Sequence, residues 1–374
     1  MPRALITLLL CIALVGTNGM ILSPVLTDIA GQFGVSASVA GRAIAAYGLG
    51  TMFTALWLGR SLDNFGITRA LRYALVVAGL AEVGSAFSNG WLMLVGAQFF
   101  AGMGAGIALP AIYSITGAIS PKGLESRYMA RVLLGWSVSL VAAVPLGAAI
   151  SDIVGWRVML GLAGSLCIAL VPLVFTLPAI TMPARTTPKM ARFRPLFLPG
   201  GAALYAICLL FMISFYGIYA YLGDYVRQAF TLGSTAAGLI ALIYGLGFGL
   251  AAFSAPLIDK LGRQTALRLV LLFGALLLTS LSLPSAFALL LPLVFLWGWV
   301  NHFILNMIVV GLNALAPANR GAVMGLYSGT TYLGASIGAV LLGLLYESYG
   351  FIGPTLAAAS LHLLALLLTL IRKP

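Results

Sequence analysis

About twelve times along this chain of 374 residues, some 20 successive positions carry almost only apolar side chains. A helix rises 1.5 Å per residue, so about 20 residues bridge the ~30 Å hydrocarbon core of a bilayer. The runs fall near 4–29, 37–61, 70–88, 91–118, 128–151, 156–178, 197–226, 233–257, 265–283, 286–315, 320–345 and 350–371. Backbone polar groups find no partner in lipid, so each run must be helical. An all-α membrane protein with 12 transmembrane helices is the expected fold. Composition agrees: 7% of the residues are charged, against about 25% in a soluble chain. The length would hold two or three soluble domains, but no segment is polar enough to be one.

The net charge of +12 would suggest a nucleic-acid partner in a soluble protein. Here the basic residues sit in the breaks between apolar runs, and the expected partner is the lipid bilayer, with no nucleic acid. With the N-terminus inside, all Lys and Arg residues except Arg42, Arg157 and Arg227 fall on the same side. The positive-inside rule then puts both termini in the cytoplasm of a multi-pass protein. The run from Ala4 to about Val25 exceeds the usual signal-peptide core of roughly 7–15 residues, so it reads as the first span. Short loops point to a bacterial inner membrane or a plasma membrane. Cys11, Cys167 and Cys208 all lie in apolar runs and read as small buried hydrophobes, with no metal cluster or disulfide pattern.

The stretch 179–196 is rich in Pro and basic residues and reads as a cytoplasmic linker between two halves, 1–178 and 197–374. The halves repeat each other. Tyr47-Gly48-Leu49-Gly50 recurs as Tyr244-Gly245-Leu246-Gly247, at an offset of 197. Asp63-x-x-Gly66 with Ala70-Leu71-Arg72 recurs as Asp259-x-x-Gly262 with Ala266-Leu267-Arg268, and Asp152-x-x-Gly155 as Glu347-x-x-Gly350. A parallel repeat of six helices implies two six-helix bundles related by a pseudo-two-fold axis along the membrane normal, with a solute site between them. The plainer reading is similar loop chemistry, but the Tyr-Gly-Leu-Gly copies lie within helices.

These motifs resemble the major facilitator superfamily. Gly59, Asp63 and Gly66 match its loop signature after helix 2, with Asn64, Ile67 and Thr68 where the family prefers basic residues and Arg69 displaced. The second copy, Asp259, Gly262 and Arg263, is closer. A carboxylate at the end of helix 2 can approach the positive N-terminus of helix 11 and Arg320. By the repeat, Asp259 faces the start of helix 5, near Arg127 and Arg131. Both read as latches on the cytoplasmic side, against a topology anchor or loop turn. Pro145 and Gly147 resemble the helix-5 motif of the drug and sugar-efflux branch, where Pro bends the helix and Gly permits close contact. Gln98 stands where that family's pattern places an arginine.

Polar groups inside a membrane are candidates for function. His302 lies in mid-helix 10, with Trp299 before it and Asn306 one turn on, so it is a candidate proton carrier, solute ligand or interhelical bond. Asn18, Tyr47, Gln98, Trp136, Tyr216 and Tyr219 complete the candidate pathway. Asp28 and Arg42 are expected to pair, structurally or as an outer gate. Glu82 reads as interfacial because helix 3 is peripheral in this fold, Tyr221 and Tyr225 as an aromatic belt, and His362 as packing. No phosphate-binding loop and no nucleophile–base pair is visible, so neither ATP-driven transport nor an enzyme is expected, and no cofactor. The resemblance implies a monomeric secondary transporter exchanging a small-molecule substrate, drug-like, amphipathic or sugar-like, for protons. A uniporter or importer, or a non-transporting sensor of the same fold, are the rivals.

Overall fold

The computed structural model describes residues 3–57, 66–121, 124–178, 180, 191, 193–254, 261–316 and 319–371, and nearly all of them are helical. The N-terminal half runs α1 (Arg3–Phe33), α2 (Ala37–Trp57), α3 (Ile67–Ala86), α4 (Trp91–Ile119), α5 (from Glu125 to Val154) and α6 (Trp156–Phe175). The C-terminal half runs α7 (Gly201–Phe230), α8 (Ser234–Ser254), α9 (Arg263–Ser280), α10 (Phe287–Leu315), α11 (Arg320–Tyr349) and α12 (Ile352–Ile371). Ten helices among the described residues are long and apolar enough to cross a membrane. The other two are α9, which is shorter, and α3, which carries Arg69, Arg72 and Glu82. Each observed helix lies within a few residues of its expected span.

Packing obeys the repeat. In the first half α2 packs on α4, α3 on α4 and α6, and α1 on α5; in the second, α8 packs on α10, α9 on α10 and α12, and α7 on α11. The Tyr-Gly-Leu-Gly copies explain themselves at this level. A Cβ on Gly50 would collide with the Phe99 carbonyl oxygen, and one on Gly247 with that of Phe295. Gly102 and Gly298, on the facing helices, have the same relation to the carbonyls of Tyr47 and Tyr244. Glycine is needed at each contact because backbone meets backbone there. The first glycine of each copy instead faces the other half: Gly48 meets Tyr332 and Ser336 of α11, and Gly245 meets Leu140 and Val141 of α5.

The acidic-x-x-Gly copies are equally local. Gly155 has φ 89° and ψ 155°, and Gly350 has φ 62° and ψ −163°, a region essentially reserved for glycine. Each ends one helix, and the next begins within two residues. A Cβ at Gly155 would touch nothing within 4 Å, so Gly155→Ala isolates backbone strain. It should destabilise the protein by about 1–3 kcal/mol, read as a lower melting temperature than that of Gly161→Ala in α6. Equal melting of the two would refute the strain.

The two most extensive seams between the halves are α2 with α11 and α5 with α8, and the last turns of α1 also pack on α7 and α8. The first extends to the end of α2, where Leu56 packs on Gly329. The second is held by Pro145 and Ala148 on Gly238 and by Leu140 on Gly245; among the described residues, the part of α5 before Ser139 packs on α1 and α4 instead. Between those parts α5 makes a π-helical turn, Ser139–Ala143, in which Val144 N–H donates to Ser139 O. Pro145 follows, and the wide turn absorbs its missing N–H without stopping the helix.

Candidate functional site

Where the bundles face each other, a narrow central cleft of about 10 Å³, room for little more than one water, lies between α1, α2 and α5 on one side and α7 and α11 on the other. Tyr47, Trp136 and Tyr216, all expected on the pathway, line it, and Tyr332 joins them; no lining residue is charged. The Tyr47 hydroxyl donates to Val15 O at 3.1 Å, and Trp136 Nε1 to the Tyr113 hydroxyl at 3.4 Å. The rings of Tyr216 and Tyr332 lie 6.5 Å apart. Gly16 makes room for the indole, since a Cβ there would sit 2.9 Å from Trp136 Cε3. Such a surface offers π faces and a few hydroxyls, which suits neutral or amphipathic solutes.

Other expected pathway residues point elsewhere. Asn18 turns into the N-terminal bundle, where its Nδ2 contacts Cys167 Sγ at 3.6 Å, and Gln98 donates to Glu82 Oε2 at 3.0 Å. Tyr219 is buried in a second aromatic cluster with Phe215 and Tyr244. His302 packs edge-on against Phe248 and Phe303, outside the cleft lining, and Asn306 is exposed. Trp299 donates to Ser254 Oγ at 3.2 Å. On α10 it is Asn301 that faces inward, donating to the Tyr244 hydroxyl at 3.2 Å.

One end of the cleft is closed by bonds between the halves. Arg227 of α7 holds Asp28 of α1 with two hydrogen bonds, Nη1 to Oδ2 at 2.6 Å and Nη2 to Oδ1 at 2.7 Å. Ser234 Oγ donates to the same carboxylate at 2.9 Å. Asp152, at the end of α5, accepts from the backbone N–H of Ser234 at 2.7 Å and of Thr235 at 2.6 Å, and from the Thr235 hydroxyl. It therefore caps α8 from across the seam, where the helix end carries partial positive charge. Thr27 donates to Asp224 at 2.6 Å, and Tyr346 to its other oxygen at 2.7 Å.

Three expectations need correction. Arg42 does not hold Asp28: its guanidinium lies 5.6 Å above the Trp91 ring, and the longer reach of α7 brings Arg227 to the carboxylate. Glu82 is fully buried and not interfacial, because α3 lies between α4 and α6. Tyr221 is no belt residue; it is buried and donates to Ala339 O of α11 at 2.5 Å. Tyr225 stacks on Phe351 with centroids 4.3 Å apart.

Of the expected latch, Gly59, Asp63 and Asp259 lie outside the described residues, as do the side chains of Arg263 and Arg320. Gly66 and Gly262 both have positive φ, 89° and 73°. Arg69 and Arg127 are exposed. In α5, Pro145 faces Gly238 of the other half, and Gly147 faces Ile21 of α1.

A cleft between two repeat-related helical bundles, sealed at one end by bonds that cross between them, is the architecture of a membrane transporter. The sequence comparisons narrow this: the chain belongs to the Major Facilitator Superfamily, whose pattern matches residues 8–312 and 204–374. The chain is similar to the MFS-type transporter YwfA of Bacillus subtilis, at 29% identity over 95% of this chain and 88% of that one. It is also similar to a "Probable sugar efflux transporter" of Mannheimia succiniciproducens, at 25% identity over 90% of this chain and 86% of that one. The human organic anion transporter MFSD10 shares the fold, with a TM-score of 0.74 at 16% identity, covering 99% of this chain and all of that one.

Proposed function

We propose that this chain exports a small amphipathic or sugar-like solute in exchange for protons, as a monomer with both termini cytoplasmic. The observation that carries the reading is the uncharged aromatic cleft closed at the Asp28 end. The similarity to a protein named for sugar efflux supports the direction, and the one-sided distribution of Lys and Arg supports the orientation. In this reading the solute enters from the cytoplasmic end, rests between Tyr47, Trp136, Tyr216 and Tyr332, and leaves when the Asp28 end opens. Asp63 and Asp259 with Arg320 and Arg127 latch the cytoplasmic end in that second state. The halves move about the linker at 179–196.

The test is flux of ethidium and of a radiolabelled disaccharide into proteoliposomes, with and without a pH gradient. Accumulation that follows the gradient supports exchange with protons; equilibration indifferent to the gradient refutes it in favour of a uniporter. Trp136→Ala should lower flux about tenfold, the loss of about 1–1.5 kcal/mol of aromatic contact. Trp57→Ala, outside the cleft, should leave flux unchanged.

A further inference from the structure

A polar cluster sealed inside the N-terminal bundle plays no part in lining the cleft. Glu82 of α3, Ser85 one turn below it and Gln98 of α4 are all completely buried. Both amide hydrogens of Gln98 are committed, to Glu82 Oε2 and to Ser85 Oγ, each at 3.0 Å. Ser85 gives its own hydrogen to Ala81 O at 3.0 Å. Asn18, from α1, spends a hydrogen on Cys167 Sγ. Three buried acceptors are then left without a donor: Glu82 Oε1, Gln98 Oε1 and Asn18 Oδ1. The cluster is short of hydrogen.

An orphaned buried acceptor costs about 1–3 kcal/mol, and a lone carboxylate within a membrane costs more. Around Glu82, α2 presents Tyr47 and α6 presents Cys167, both within electrostatic reach, and α4 presents Gln98; Asn18 of α1 contacts Cys167. Arg157, at the start of α6, is engaged elsewhere: it donates to Ala86 O at 3.1 Å and lies over Trp156. A single proton on Glu82 would remove the buried charge and add one donor to a cluster that has too few.

The repeat shows that the fold itself does not demand an acid here. At the offset of 196 that relates Arg72 to Arg268, Glu82 corresponds to Leu278, which is fully buried in the second bundle. The same helix packing is thus built with a leucine. Tyr47 lines the cleft and feels the Glu82 charge electrostatically, while its hydroxyl hydrogen goes to Val15 O.

We propose that Glu82 is a proton-binding site of this transporter, with Gln98 and Ser85 as positioning groups; as the carrier for transport it rests on the proton-exchange reading above. Protonation forms one O–H bond on the Glu82 carboxylate and releases no other group.

The test is infrared spectroscopy of the full chain in proteoliposomes, titrated over about pH 5 to 9, with carboxyl-13C glutamate as the label. The chain holds three glutamates, Glu82, Glu125 and Glu347, so few bands can shift. A protonated carboxyl has a carbonyl stretch that a carboxylate lacks. One labelled acid band that fades as pH rises, absent from Glu82→Gln and kept by Glu125→Gln/Glu347→Gln, is the expected result. No labelled acid band across the range, or its loss from the double variant, would overturn the site. The double variant keeps the test decisive should Glu82→Gln fold poorly. Flux measured on the same liposomes separates the two readings. A titrating Glu82 band with gradient-indifferent flux sinks proton exchange and leaves the site standing. Gradient-driven flux without the band sinks Glu82 alone.

Discussion

Valine at Gly298 should leave little folded protein. The glycine sits where α10 crosses α8, and even a Cβ would overlap the carbonyl oxygen of Tyr244. That oxygen belongs to a helix backbone, which cannot rotate aside as a side chain would. Overpacking a well-filled core costs about 1–3 kcal/mol, and a backbone collision belongs at or beyond the upper end. Whole-protein margins are about 5–15 kcal/mol, so one such change removes a large share. Gly102→Val should behave alike, because its Cβ would overlap the carbonyl of Tyr47 at the matching crossing. Gly249→Val is the control, as nothing lies within 4 Å of a Cβ there. Monodisperse yield in detergent and the tryptophan-fluorescence melting temperature read the effect. Equal yields for Gly298→Val and Gly249→Val would disprove the close crossing.

The second large effect is on conformation. Asp28→Asn removes one charge from the bond that shuts the pathway and keeps the size of the side chain. Its two bonds with Arg227 are short and charge-assisted, which strengthens them. The Asp28 side chain is 34% exposed and that of Arg227 13%, so water screens part of the attraction. The pair should contribute about 1–2 kcal/mol to closure, roughly a tenfold shift in population toward the state open at this end. A thiol placed in the cleft by Met20→Cys reports it, because the native cysteines Cys11, Cys167 and Cys208 are buried. Labelling by a membrane-impermeant maleimide from the Asp28 side should accelerate about as much in Asp28→Asn. Exchanging the charges, Asp28→Arg with Arg227→Asp, should return the rate toward wild type. A labelling rate unmoved by Asp28→Asn would remove the pair from the gating account.

The helices were legible because hydrocarbon imposes a length and forbids unpaired backbone, and both demands are written in residue order. The repeat was legible for a similar reason. Gly50 and Gly247 must be glycine to meet a carbonyl, so the motif survived in both halves. What residue order does not carry is helix rotation. Asn18 and Gln98 face into their own bundle, and His302 is turned toward Phe248 while its neighbour Asn301 looks inward. Long-range pairing was hidden as well. Arg42 is nearer to Asp28 in sequence, whereas Arg227, from the other half, is nearer in space. A peripheral helix suggests a lipid-facing Glu82, but an acid in lipid is costly, and α3 turns it inward against α4.

The unequal lengths of the two seams make the molecule resemble a book more than a pair of matched jaws. The α2–α11 seam is the spine, held from Gly48 as far as Leu56, and the α5–α8 seam gives way beyond Leu140 and Gly245. In the export cycle proposed above, pages hung in this way would part along the fore-edge, and the gap would give sideways onto the acyl chains as well as onward to water. An oily solute already dissolved in the leaflet would then reach Trp136 by sliding in between α5 and α8, and its partition coefficient, more than its concentration in water, would set the rate of loading.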